Sequence, residues 1–133
     1  MNDEKFAKEY KALVERVITL CEKAMREGLL SVEELIDRNK FYQRDVLELG
    51  LQLVINGMLP EIIDTILTNI VELEQDKNKK LLKNIKKGVV LGFESGHHPA
   101  TMMLLLNSYV NIGIEDAMKR YEELYVKQYK EKE

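Results

Sequence analysis

Three groups of residues have types that could carry chemistry: the adjacent pair His97-His98, the single cysteine Cys21, and the lysines Lys77, Lys79, Lys80, Lys83, Lys86 and Lys87. A structural metal site needs three or four converging ligands. Adjacent residues on a helix point about 100° apart, and no further His, Cys or carboxylate cluster at ligand spacing accompanies the pair. The reading is no metal site. Cys21 falls at helical spacing from Val14 and Val17, which suits a small buried hydrophobe better than a nucleophile. One cysteine cannot close an internal disulfide, which fits a reducing compartment. On a helix the lysines spread around the polar surface; they read as a solvated face or, alternatively, as a docking patch for an acidic partner. No arginine or aromatic residue is interleaved for base contact or stacking, so nucleic acid is not indicated. No Gly-rich phosphate loop, Ser-His-Asp grouping or Cys-His pairing is present, and neither an enzyme nor a cofactor is expected.

The elements that would position these residues are organised around Gly50 to Asp64. Val46, Leu47, Leu49, Leu51, Leu53, Val54 and Ile55 make a helix apolar nearly all round, the pattern of a helix buried on several sides. Gly50 inside it costs roughly 1 kcal/mol relative to alanine, and close approach of another helix is the expected reason. Gly57 suits a left-handed position past the helix end, and Pro60 suits the first position of the next. Glu61 and Asp64 complement that helix's dipole.

Upstream, Phe6, Tyr10, Leu13, Val17, Leu20 and Ala24 recur at steps of four and three, giving a helix from about Asn2 or Asp3 to Glu27 closed by Gly28 as a C′ residue. Ser31 and Glu34 read as a capping box, with Leu30 and Leu35 as the hydrophobic staple, opening a short helix that ends near Arg38-Asn39-Lys40. A third helix covers about Phe41 to Asn56. A fourth runs from Pro60 to about Lys87 as one long central helix, projecting or kinked at its polar middle, Gln75 to Lys80.

Gly92 to His98 reads as a loop. Pro99 starts a fifth helix with Met102, Met103, Leu104, Leu105, Leu106, Tyr109 and Val110 as core; the Met-rich run reads as core filling rather than as an adaptable groove. After Gly113 a sixth helix carries Ile114, Ala117, Met118, Tyr121, Leu124 and Tyr125. Residues 127–133 are charged and expected to fray. The fold class is therefore all-α: a single domain over 1–133, a bundle of about six helices.

The chain has 133 residues and a net charge of −3, too small to imply nucleic acid or an acidic membrane surface. Residues 1–12, mostly charged and polar, do not read as a secretory signal, and no apolar run approaches the roughly 20 residues of a membrane span. The expectation is a soluble, cytoplasmic protein.

Two stretches carry a family resemblance. Leu20 to Glu34, L-C-E-K-A-M-R-E-G-L-L-S-V-E-E, is similar to the segment after the second transmembrane helix of MotA-type flagellar stator subunits (the MotA/TolQ/ExbB proton channel family), which reads A-R-R-E-G-L-L-A-L-E. Leu49 to Ile63, L-G-L-Q-L-V-I-N-G-M-L-P-E-I-I, is similar to that family's K-G-L-Q-L-V-V-D-G-T-D-P-E. Order and spacing agree over residues 14–73. Farther on, Lys86-Lys87-Gly88 and Gly92-Phe93 before His97 to Thr101 echo the family only weakly. The family's membrane helices have no counterpart here.

The resemblance implies a stator cytoplasmic domain by itself, keeping contact with a protein partner such as the rotor protein FliG or a stator subunit. Glu33 matches the family's acidic contact residue. The basic residue eight positions before it falls at Met25, with Arg26 adjacent. The candidate partner surface is Arg26, Glu27, Glu33 and Glu34, joined by the lysine-rich helix. Homo-oligomerisation is compatible with this reading. The rivals are a helical regulatory or adaptor domain unrelated to motility, and a small-ligand or metal-binding bundle using Met102–Leu106 and His97-His98.

Overall fold

A computed structural model describes residues 3–36, 45–111 and 113–123. Among these, every regular element is helical: α1 (Asp3–Glu27), a 3-10 helix η1 (Leu29–Leu35), α2 (Val46–Ile55), α3 (Pro60–Leu73), α4 (Lys77–Glu94), α5 (Pro99–Val110) and α6 (Ile114–Tyr121). The all-α bundle is as expected. No helix among the described residues is long and apolar enough to cross a membrane.

The α1 stripe is buried as its spacing demands: Tyr10, Leu13, Val17, Leu20 and Cys21 all belong to the core, and Phe6 stacks on Tyr10 with ring centroids 6.3 Å apart. The Tyr10 hydroxyl donates to Asn107 Oδ1 at 2.5 Å, which ties α1 to the end of α5.

Gly28 follows α1, but its φ of 92° and ψ of 159° are an extended backbone open only to glycine, not the left-handed cap. That bend lays η1 against α1, with Val32 and Ile36 buried. The capping box does not form. Ser31 lies inside η1, and its hydroxyl donates to the Gly28 carbonyl at 2.6 Å instead of accepting an amide. Leu30 is exposed, so the staple is absent as well.

Asp45 caps α2 by accepting from the Glu48 amide at 2.9 Å. The expected start at Phe41 and the helix end at 38–40 lie outside the described residues. The C-terminus of α2 is closed by paired bonds: the Gly57 amide donates to Val54 O at 3.0 Å and the Met58 amide to Leu53 O at 3.1 Å, with Gly57 left-handed at φ 76°. This is a Schellman closure. Pro60 then takes the first turn of α3, as expected.

The single long helix expected over 60–87 is two helices. α3 stops at Leu73, Glu74 turns extended, and Asp76 caps α4 by accepting from the Lys79 amide at 2.9 Å. A good N-cap with a polar link competes with helix continuation. Folding back lets both apolar faces close: Ile63, Leu67 and Val71 on α3, and Leu82, Ile85, Val89, Val90 and Phe93 on α4. The central place belongs to α4, which touches α1, α2, α3 and α5.

α4 runs to Glu94, so part of the expected Gly92–His98 loop is helix. A second Schellman closure ends it: Gly96 donates to Phe93 O at 3.1 Å and His97 to Gly92 O at 3.0 Å. On α5 only Ala100, Met102 and Leu106 are fully buried; Met103, Leu104, Leu105, Tyr109 and Val110 are half-buried. On α6 Ala117 is buried but Met118 is exposed, so the expected stripe is core only in part; Leu124 and Tyr125 lie outside the described residues.

Gly50 marks the tightest crossing. A Cβ there would lie 2.5 and 2.8 Å from the two Val90 methyls and 3.1 Å from Leu67 Cδ1. Close helix approach was the expected reason for this glycine, and it is the reason found. Val90 is β-branched and fully buried, so it cannot swing aside. Gly50→Ala is expected to destabilise by about 2 kcal/mol despite the better helix propensity of alanine. Urea unfolding checks this: a lower midpoint with an unchanged m-value is expected, and adding Val90→Ala recovers part of the loss.

Candidate functional site

The four residues singled out from sequence sit around the end of α1 and on η1, but they do not point one way. Glu27 and Glu34 converge on Lys23, whose Nζ lies 2.7 Å from Glu27 Oε2 and 2.9 Å from Glu34 Oε2. The Lys23 side chain is largely covered, with 14 % of its surface exposed, while those of its partners remain open at 52 % and 70 %. Two carboxylates are thus held in place and presented to solvent. Hydrogen bonds to Glu27 and then Glu34 hold the Lys23 ammonium charged above the usual lysine range. The same ammonium holds the Glu27 carboxyl below the usual carboxylate range.

Arg26 stands apart from this pair. Its Nε donates to the Glu22 carbonyl at 3.3 Å, in the last turn, where a cation complements the helix dipole. Glu33 turns toward α2: it is half-buried, and its Oε2 accepts from Gln52 Nε2 at 3.2 Å, joining η1 to α2. Gln52 also donates to Asn56 Oδ1 at 2.9 Å. Lys23 was missed from sequence, although its spacing of four from Glu27 was a readable signal. Arg16 was missed too; it donates to Leu35 O at 2.7 Å and pairs with Glu48 at 3.3 Å, locking α1, η1 and α2 together.

The opposite flank of α1 opens into a groove of about 250 Å³, lined by Cys21, Ala24, Met25 and Leu29 on one side and by Phe93, Glu94, Gly96, His97 and Pro99 on the other. Met25 is exposed at its edge. The Schellman closure of α4 sets His97 into the groove wall. Burial, and secondarily the charge of Glu22, pushes the Cys21 thiol up to about 11, so it is protonated at neutral pH and a poor nucleophile. Cys21, Glu94 and His97 share the groove, yet among the described residues no three of His, Cys, Asp and Glu lie close enough to hold a metal. His98 acts on the backbone instead: its Nδ1 accepts from the Ala100 amide at 3.1 Å and caps α5. Met102 and Leu106 are fully buried and offer no opening to a ligand.

Four of the lysines on α4 are committed to acids of this chain. Lys80 reaches Glu72 at 3.4 Å, Lys83 reaches Glu74 at 3.1 Å, Lys86 reaches Asp45 at 3.8 Å and Lys87 reaches Asp64 at 3.8 Å. Lys87 also donates to the Thr68 hydroxyl at 3.1 Å. These contacts tie α4 to α3 in antiparallel register and to the start of α2. Such exposed pairs contribute little each, about 0–1 kcal/mol, but together they fix register.

Comparison of the chain with protein-family models, with curated proteins and with solved structures finds no match.

Lys23→Met is expected to lower the thermal midpoint slightly and to leave the Glu27 and Glu34 carboxylates without their shared anchor, while Val32, Ile36 and Arg16 keep η1 on α1. The sign with pH follows from the two shifts. The depressed Glu27 carboxyl adds stability above the ordinary glutamate range and loses it as pH falls through its lowered value; the raised Lys23 ammonium loses its share only as pH rises above the ordinary lysine range. The gap between wild type and variant is therefore flat from about pH 5 to 9 and closes below about pH 4. Thermal unfolding followed by circular dichroism across that range checks it.

Proposed function

We propose that this chain is a non-enzymatic protein-interaction module that binds its partner at the end of α1 and on η1. The observation that carries the reading is the Lys23 clamp: Glu27 and Glu34 are fixed on one ammonium while their own side chains face water. Carboxylates already ordered before binding lose less freedom on association, which favours recognition of a basic surface. Charges at such a rim raise association rate and specificity more than affinity. Arg26 adds a cation on the outer side of the same helix end, and Leu30 adds an exposed apolar side chain on η1.

The partner proposed is a flagellar motor protein, either the rotor protein FliG or a stator subunit, with the chain acting in the cytoplasm. That choice rests on the two sequence stretches that resemble MotA-type stator subunits. Glu33 takes a lesser share than the resemblance implies, because its carboxylate already accepts from Gln52. The lysine-rich helix is not included in the surface, because most of its ammonium groups are occupied within the chain.

The expected outcome in a pull-down is recovery of FliG or of a MotA-type subunit by the wild-type chain, reduced at least tenfold by Glu27→Lys with Glu34→Lys. Recovery of neither protein sinks the choice of partner. Recovery unchanged by the double reversal sinks the surface.

A further inference from the structure

We propose that the outer flank of α3 is a self-association surface, at which two copies of this chain pair side by side. The surface is separate from the Lys23 clamp and shares no residue with it. Leu73, at 80 % exposed, is the most open large apolar side chain among the described residues. Leu59 at the N-cap of α3 and Ile62 in its first turn are open as well, at 61 % and 46 %. Ile66, between them and Leu73, is half-buried.

Spacing joins these residues into one line. Ile62, Ile66, Asn69 and Leu73 follow steps of four, three and four, and Leu59 stands three residues before Ile62. At about 100° per residue, the four helical positions fall within roughly 60° of arc. The buried line of Ile63, Leu67 and Val71 lies well around the helix from them. Alternating steps of three and four are the pattern of a seam between two helices. The bundle leaves this seam largely uncovered, because α3 packs on α2 and α4 through its other side.

Charge and chemistry favour a second copy as the occupant. No ionic side chain stands in the line. Glu61, Asp64 and Glu72 lie about 90° or more around the helix from its centre. Asp64 and Glu72 are, moreover, paired with Lys87 and Lys80 of the same chain. A strongly charged partner finds no countercharge on this flank, whereas two copies brought together meet no like charges across it. Asn69 is the one polar member of the line, and it is exposed. Its carboxamide both donates and accepts, so Asn69 of one copy satisfies Asn69 of the other across a two-fold axis. One asparagine in an apolar seam fixes register and oligomeric state at a cost in affinity.

Size sets the strength of the pair. Two stripes of this length bury on the order of 1,000 Å² in total, the lower edge of specific interfaces. The dimer is therefore weak and reversible, with a dissociation constant in the micromolar range or above.

Sedimentation velocity of the full chain from about 1 μM to about 1 mM spans that range and tests the pairing. A concentration-dependent change from monomer to dimer, with no larger species, is expected. Ile62→Lys combined with Leu73→Lys is expected to weaken the dimer at least tenfold. Both side chains are open to solvent, and circular dichroism checks that the helix content is kept. Asn69→Leu is expected to tighten association at least tenfold and to admit larger species. A chain that stays monomeric throughout overturns the proposal and leaves the flank to a different macromolecule or a lipid surface. A dimer indifferent to the double lysine variant overturns the surface, and one unchanged by Asn69→Leu overturns the pairing at Asn69.

Discussion

The structure depends on the missing methyl at Gly50. There α2 passes so close to α4 and α3 that the Val90 methyls and the Leu67 side chain occupy the space a Cβ would need. That closeness buries Leu47, Leu51 and Leu53 on one helix and Ile85, Val89 and Val90 on another. It also explains how a helix that is apolar nearly all round is accommodated: α3, α4 and η1 pack against it. Interiors packed this tightly transmit displacement rather than absorb it. The crossing therefore sets where the end of α4, and with it Phe93 and His97, meets α1.

The lysines of α4 show how composition and structure part company. Spacing places them correctly on a polar helix surface. It cannot show that acids at positions 64, 72 and 74 lie opposite, because that depends on α4 folding back on α3, or that Asp45 at the start of α2 meets Lys86. The fold-back in turn hinges on Asp76. Along the chain, Gln75-Asp76 is one polar dip in a continuing helical pattern. In three dimensions Asp76 is a cap, its carboxyl held below the usual range mainly by the Lys79 amide. Once α4 starts there, Lys80, Lys83 and Lys87 fall opposite Glu72, Glu74 and Asp64 in turn. A stretch that reads as a docking face becomes a set of internal ties.

Much of the fold was legible because strong local signals agreed with the tertiary demand. The α1 stripe, the Gly57–Pro60 turn and the Pro99 start are all where the residues say. The capping box at Ser31 failed for a specific reason: Gly28 adopts an extended positive-φ conformation that brings its carbonyl to the Ser31 hydroxyl, and burial of Val32 then holds the segment as a 3-10 turn. Of the candidate surface, residue types were legible and directions were not. Arg26, Glu27, Glu33 and Glu34 are neighbours in sequence, yet Glu33 faces α2 while Glu27 and Glu34 share a lysine. The groove could not be read at all, since residues 21–29 and 93–99 meet only through the α1–α4–α5 packing.

Internal consumption of the lysines has a consequence for what the molecule shows to others. A net charge of −3 is small when averaged over a whole chain. It is not evenly presented where the ammonium groups of Lys23, Lys86 and Lys87 are drawn against carboxylates of their own chain, each with less than a quarter of its side-chain surface exposed. The carboxylates of Glu27, Glu34 and Asp64 stay more than half exposed in the same kind of pair. At these pairs an approaching molecule therefore meets the carboxylate before the ammonium. Within a Debye length of about 8 Å at physiological salt, that asymmetry acts where net charge does not. One flank of α1 presents it through the clamp. That is the electrostatic reason behind the proposed recognition of a basic surface at the clamp.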